Sequence, residues 1–352
     1  MRALLLIAAL WAGAVSAADV GPRRALLASY PSWVLPGIDH NQGSVDMYFS
    51  TGQYYSVDQG LISWASQISD SRASAETCWG SPNTLVALSI APNNSPCITA
   101  AGLAAWESRT NLFLNSATLS TQSVSVSGVP YSVSFYGTGT ITFSGAYTGS
   151  LAGTGVNSYV TTTFTPSAGT VTATVSGTVN DANFEAGGFS TPWIPTTGST
   201  ATRAADNISA VSGGALDKAL RVTPGSVFAQ TNAVNFVTSN KIFWFSGAGT
   251  WGEQYQPSNT VQIFSNGTTI TATAGGQTVA GRAKTSLKYN NTNDSIVFGS
   301  GSVVTGADSG RTTNATGTIY LGDNGAGTRE LNGYIERVAV APNTYNLFPT
   351  TP

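Results

Sequence analysis

Between residues 111 and 200 the chain alternates apolar and small polar side chains with few charges. Val124-Ser-Val-Ser, Tyr131-Ser-Val-Ser-Phe-Tyr, Thr140-Ile-Thr-Phe-Ser, Tyr159-Val-Thr-Thr-Thr-Phe-Thr and Thr170-Val-Thr-Ala-Thr-Val-Ser each set apolar side chains two apart. That period belongs to strands with one face on a core. Gly137-Thr-Gly, Gly149–Gly155 and Ser167-Ala-Gly supply turns at the spacing of a β-sandwich. Phe184-Glu-Ala-Gly-Gly-Phe reads as a closing strand, and Thr191-Pro-Trp-Ile-Pro as an exit packed on the sheet end.

A second pattern of strands fills residues 207–352. Its nine candidates are Ala219-Leu-Arg-Val-Thr, Val227–Val237, Lys241-Ile-Phe-Trp-Phe, Thr260-Val-Gln-Ile-Phe, Thr268–Ala274, Ser286-Leu-Lys-Tyr, Ser295-Ile-Val-Phe, Gly317-Thr-Ile-Tyr-Leu-Gly and Gly333–Ala341. Asn266-Gly267 between two of them is a hairpin turn. Upstream the pattern is less regular. Tyr48–Val57 reads as a hairpin with Ser-Thr-Gly as its turn, and its aromatics fit packing, sugar stacking or a subunit contact. Pro82, Pro92 and Pro96 enforce extended or irregular backbone, and Ala100–Trp106 is Ala-rich enough for a short helical turn.

Composition agrees with the pattern. Thirty-nine glycines, abundant Ser and Thr and only 9% charged residues favour strands and turns. The expected fold class is all-β: two consecutive antiparallel jelly-roll or β-sandwich domains behind an irregular N-terminal segment. Arg2, the apolar run Ala3–Val15 and Ala-Val-Ser-Ala-Ala form a secretory signal. The expected divisions are 1–18 (signal peptide), 19–110 (attachment or oligomerisation segment), 111–206 (first sandwich) and 207–352 (second sandwich). An exported chain with two cysteines implies one bridge, Cys78–Cys97, of about 3 kcal/mol by loop-closure entropy. A formal charge of −2 offers no basic field for nucleic acid. No segment after the signal is apolar for long enough to span a membrane.

The chemistry-bearing residues are few. His40 is the single histidine, which argues against a nucleophile–base pair through imidazole and against His/Cys metal sites. The expectation is a protein with no catalytic residues, no metal and no cofactor. Trp251-Gly-Glu-Gln-Tyr followed by Gln-Pro-Ser-Asn259 combines aromatic, acidic and amide groups between two strands. Read as a binding loop, it offers Trp251, Glu253, Gln254, Tyr255 and Asn259 to a sugar. The same residues suit an aromatic loop packed on a neighbouring module. Asp323-Asn324-Gly325 offers oxygen ligands to calcium and equally the residues of a turn. Glu107 and Arg109, two apart, lie on one face of an extended segment, where an ion pair fixes register.

Several stretches carry a resemblance. Gly102–Ser116 (GLAAWESRTNLFLNS) resembles the GLLIEEARTNLLLNS junction of modular spike, fibre and tail-associated proteins of tailed bacteriophages and related particles. Ser71-Arg-Ala-Ser-Ala resembles the TRAST segment before that junction, and Ile194–Asp206 resembles the YIPTT…VTRAAD segment that closes the following β-module. Leu331–Ala339 is similar to the last strand of concanavalin A-like lectin, glucanase or LamG-like domains, and the first β-module resembles a jelly-roll carbohydrate-binding module. Glucanases of the concanavalin-like fold carry an E-x-D-x-x-E strand, and Asp323, Glu330 and Glu336 do not form one. The resemblance implies a non-enzymatic spike or fibre protein, displayed on a virion or phage-like particle as a homo-oligomer. Its partners would be host cell-surface polysaccharide and other particle subunits, with no membrane contact after signal cleavage. Two alternatives stand beside it: a purely structural or decoration protein, and a secreted bacterial glycan-binding or glycan-degrading protein, which the signal peptide favours.

Overall fold

The computed structural model describes residues 43–79, 89–222, 224–234, 240–245, 251–256, 259–265, 268–273, 281–290, 293–307, 317–327 and 329–342. The stretch read as a signal peptide and His40 lie outside these residues. Within them the chain is all-β, in multiple antiparallel sheets, as its alternation predicts.

The larger sandwich is organised around the strand Gly333–Pro342, buried along its whole length. On one side it pairs with Gly225–Ala233, which continues through Gly281–Tyr289 and Asn293–Phe298 to Val304–Ala307. On its other side lie Gly102–Ala105 and then Val45–Tyr48, the latter in a hairpin with Gln53–Ser56. The facing sheet runs Thr268–Thr273, Thr260–Ser265, Trp251–Gln256, Asn240–Phe245, Ile319–Leu321, Ile208–Ala210 and Ile68–Asp70. Val45, Leu103, Val227 and Val338 from one sheet meet Ile68, Tyr255, Ile263 and Leu321 from the other in a single core. Of the strands between residues 45 and 105, Val45–Tyr48, Gln53–Ser56, Gly60–Leu61, Ile68–Asp70, Ile98–Thr99 and Gly102–Ala105 belong to the sheets of the C-terminal sandwich, whereas Glu76–Cys78 and Ser89–Ala91 pair with each other. The former are not structurally separate, as the expected division at residue 110 had them: Val45–Tyr48 and Gly102–Ala105 pair with Gly333–Pro342, and Ile68–Asp70 with Ile208–Ala210, so their backbone donors and acceptors are met far downstream.

The smaller sandwich is inserted in the larger one. Gln122–Val126, Gly169–Ser176, Thr140–Gly145 and Gly149–Ala152 make one sheet, and Gly155–Phe164, Tyr131–Gly137 and Val179–Ala186 the other. Val124, Val133, Phe135, Ile141, Phe143 and Phe184 fill the space between them. The chain leaves through Arg109–Asn111 and returns antiparallel to it through Ala201–Arg203.

Two local readings change. The strand expected from Ala219 gives way to an α-helix, Ala215–Arg221, capped by Gly214, and Thr223 lies outside the described residues. Ala215, Leu216, Ala219 and Leu220 lie on one helical face and enter the core, and the Asp217–Arg221 ion pair joins successive turns. Conversely, the Ala-rich run contains the strand Gly102–Ala105 in place of a helical turn, because Leu103 and Ala105 complete the large core beside Gly333–Ile335. At Gly102, with φ +124°, a Cβ would meet the Ile335 carbonyl oxygen at 2.5 Å, so only glycine permits that approach. The Tyr48–Val57 hairpin forms as expected, its turn closed by Gly52 in the left-handed region. Ser265 pairs with Thr268 around Asn266 and Gly267, which themselves lie outside the described residues.

The two sandwiches meet at a third, aromatic core. Trp79 stands edge-on to Trp106 at 5.7 Å and to Tyr159 at 5.2 Å, and Trp106 to Tyr334 at 5.6 Å. Cys78 and Cys97, joined in a disulfide, line the same core. Beside it Arg72, wholly buried, donates from Nη1 to Asp70 (2.7 Å), Glu76 (2.8 Å) and Asp206 (2.5 Å). Its Nε reaches the Ser74 carbonyl at 2.8 Å, and Nη2 the carbonyls of Ser95 at 3.0 Å and Pro92 at 3.3 Å.

The bridge closes a sequence separation of 19 residues. Replacing both cysteines with serine should lower the unfolding free energy in urea by about 3 kcal/mol. An unchanged midpoint would mean that the Arg72 contacts to Pro92 and Ser95 hold this loop without the bridge.

Candidate functional site

The stretch read as a binding loop is a strand. Trp251–Gln256 pairs with Asn240–Phe245 on one side and Thr260–Ser265 on the other. With both edges paired, alternation decides where its side chains go. Tyr255 lies in the large core, its hydroxyl 2.7 Å from that of Thr231 and its ring 5.9 Å from Phe298. Glu253, on the same face, is fully buried beside Thr285, and burial pushes its carboxyl up to about 8. Gln254 and Gln256 both donate to Gln262 in a cross-strand amide ladder that Gln262 continues to Thr271. Asn259 sits in the turn after the strand, at φ +57° with its N–H on the Gln256 carbonyl. The side chain of Trp251 lies outside the described residues. Among the described side chains, Glu253 and Tyr255 face the core and Gln254 joins the cross-strand ladder, so they stabilise the sheet.

The remaining acids named from sequence are also interior. Asp323 accepts the N–H groups of Gly325 and Ile208, so it organises a turn and a strand end; burial lifts its carboxyl to about 8. Burial raises Glu330 to about 7. Glu336 holds Arg282 and Gln230. In the Arg72 cluster burial raises Asp206 to about 6, against the pull of Arg72. Each of these acids is either held by internal donors or carries a neutralising shift. They do not present two opposed carboxyl groups to an open space as glycoside hydrolysis requires.

An open cleft of about 360 Å³ does exist, in the inserted sandwich where the chain enters it. It is lined by Ser108, Arg109, Thr110 and Leu112 from the entering segment and by Ser125, Tyr131 and Ala186 from three strands of the insert. The entering strand reaches the cleft because it pairs with Ala201–Arg203 and passes beside Val179–Ala186. Arg109 is the charged group of the cleft. It contacts Glu107 at 2.5 Å and lies 4.5 Å above the Phe189 ring, and its Nε meets no acceptor among the described residues. Tyr131 is held by its hydroxyl, which accepts the Ser127 N–H at 3.0 Å. The ion pair expected between Glu107 and Arg109 forms. What the sequence left unseen is that Ser125, Tyr131 and Ala186, from three different strands, converge beside it.

No protein-family model matches the sequence, and no curated protein matches it. Among solved structures the chain is similar to the CBM40 of a Ruminococcus gnavus IT-sialidase bound to α2,3 sialyllactose. That similarity has 12% identity and a TM-score of 0.33, covering 38% of this chain and 84% of the other. It is similar also to mouse laminin α1 chain domains LG4-5, with 11% identity and a TM-score of 0.28, covering 72% of this chain and 96% of the other. A leech intramolecular trans-sialidase is matched at 13% identity and a TM-score of 0.31, over 40% of this chain and 24% of that one.

The buried Glu253 makes stability pH-dependent in a defined direction. An unfolded Glu titrates near about 4.3, and the folded group near about 8. The folded state therefore holds the proton more tightly. Glu253 contributes fully below the unfolded value, and that contribution is lost as pH rises through the folded one. Glu253→Gln should raise the melting temperature relative to the wild type at pH 8 and leave it close to the wild type at pH 4. A variant that melts lower than the wild type at both values would show that Glu253 is needed for packing or as an anion.

Proposed function

We propose that this chain is a non-enzymatic, glycan-binding component of a phage-like particle, a spike or fibre that contacts host surface polysaccharide. The observation that carries the reading is the cleft of about 360 Å³ lined by Ser108, Arg109, Thr110, Leu112, Ser125, Tyr131 and Ala186, which sets a guanidinium and the exposed Ser125 beside apolar side chains. Such a mixture suits a saccharide, whose hydroxyls need many hydrogen bonds and whose C–H face needs an apolar wall. The buried acids support a binding role over hydrolysis, since their protons and donors are committed inside the protein. The particle assignment draws support from the Gly102–Ser116 and Ile194–Asp206 motifs and from their place in the fold. They bracket the inserted sandwich at its exit and return.

The test is a glycan array probed with the mature chain, alongside adsorption to host cells. Binding to a restricted set of surface polysaccharides, without release of reducing ends, is the expected result. Absence of any glycan binding, with the protein recovered in purified particles, would favour the structural or decoration role. Recovery of the native protein from culture supernatant alone would favour the secreted glycan-binding role.

A further inference from the structure

We infer that the cleft recognises a negatively charged sugar through Arg109, specifically the carboxylate of a uronate-type residue. The inference rests on the glycan-binding reading and names its ligand class. Arg109 is more than nine-tenths buried; among the described residues its Nη2 meets Glu107, its charge also acts on the buried Glu185 carboxyl, which burial raises, and its Nε meets no acceptor. A buried guanidinium carries five donors in a rigid fork, and leaving them unspent is unfavourable unless something occupies them. The cleft is the opening that this side chain lines.

The guanidinium is also held in place before any ligand arrives. Phe189 supports one face at 4.5 Å. Gly187, at φ +141°, supplies the space: a Cβ there would fall 1.4 Å from Arg109 Nη1. The Gly187 N–H is fixed on the Pro130 carbonyl at 2.8 Å, one residue before Tyr131. The guanidinium thus sits against backbone that is itself fixed, which limits the ordering cost of binding. Against such a cation a carboxylate has an advantage over a hydroxyl. A charge-assisted hydrogen bond is about twice as strong as a neutral one, and the planar fork matches a carboxylate in two-point contact. The hydroxyls of Ser108 and Thr110 already serve Arg203 and Thr202, which leaves Arg109 as the dominant recognition group.

The test uses the full mature chain and three probes: a glucuronate-containing tetrasaccharide, its carboxyl-reduced counterpart, and inorganic sulfate. Calorimetry at low salt should show the acidic tetrasaccharide binding at least about tenfold more tightly than the reduced one. Sulfate should compete weakly. Arg109→Gln should abolish the preference, and so should Gly187→Ala, which displaces the guanidinium without removing its charge. Ser125→Trp, at an exposed position of the cleft, should block both sugars while leaving the melting temperature unchanged, which guards against variants that misfold. Equal binding of the acidic and reduced sugars by the wild type would overturn the acid assignment and leave glycan binding standing. Binding of neither sugar would overturn both. Retention of the acid preference in Arg109→Gln would move the site elsewhere.

Discussion

One buried cation holds the centre of this protein. Arg72 has no solvent exposure along its side chain, and it gathers Asp70, Glu76 and Asp206 from three segments. Its other donors are spent on the carbonyls of Ser74, Pro92 and Ser95. Asp206 then accepts the Trp106 N–H at 2.7 Å, so the first and last residues around the inserted sandwich are fixed to one another. Arg203 adds a second tie, donating to the Glu107 carbonyl at 2.8 Å. Three acids around one cation would repel each other strongly if all were ionised, and burial answers this by raising Glu76 and Asp206 toward the neutral form. The cluster works as a network of donors and acceptors more than as a set of separate ion pairs.

Everything that positions the cleft follows from that joint. The inserted sandwich leaves and returns through the antiparallel pair Arg109–Asn111 and Ala201–Arg203, so its orientation is set at its base. Trp79 and Trp106 pack there against Tyr159 of the insert and Tyr334 of the long central strand. Asn111 completes the base: its amide donates to the carbonyls of Ala182 and Ile194, and its carbonyl accepts from Phe113 and Phe184. Arg109, two residues away in the same strand, inherits this rigidity.

The alternation of residues 111–200 predicted a sandwich because its strands are near neighbours in sequence, and a period of two is visible wherever one face is buried. The same reading failed for Trp251–Gln256, where Gly252, Glu253 and Gln254 dilute the apolar signal and a buried Glu looks like an exposed one. It failed for residues 45–105 for a different reason. Val45–Tyr48 pairs with Arg337–Val340, and no local pattern reports a partner that far along the chain. The helix Ala215–Arg221 was hidden by its shortness, since Ala219-Leu-Arg-Val-Thr also fits a strand. The cleft was legible in part. Glu107 and Arg109 stood out as a charge pair in a chain of few charges, whereas Ser125, Tyr131 and Ala186 become neighbours of Arg109 only when the sheets close.

The central claim is that the Arg72 network joins the two sandwiches into one cooperative body. Equilibrium denaturation of Arg72→Met, followed by fluorescence of the buried tryptophans and by far-ultraviolet circular dichroism, tests it most directly. Removing the shared cation should cost about 3–5 kcal/mol, because buried carboxylates are left without a partner. The loss should appear in both signals, and Asp206→Asn added to Arg72→Met should restore part of it. A variant as stable as the wild type, with both signals changing at the original midpoint, would contradict the account.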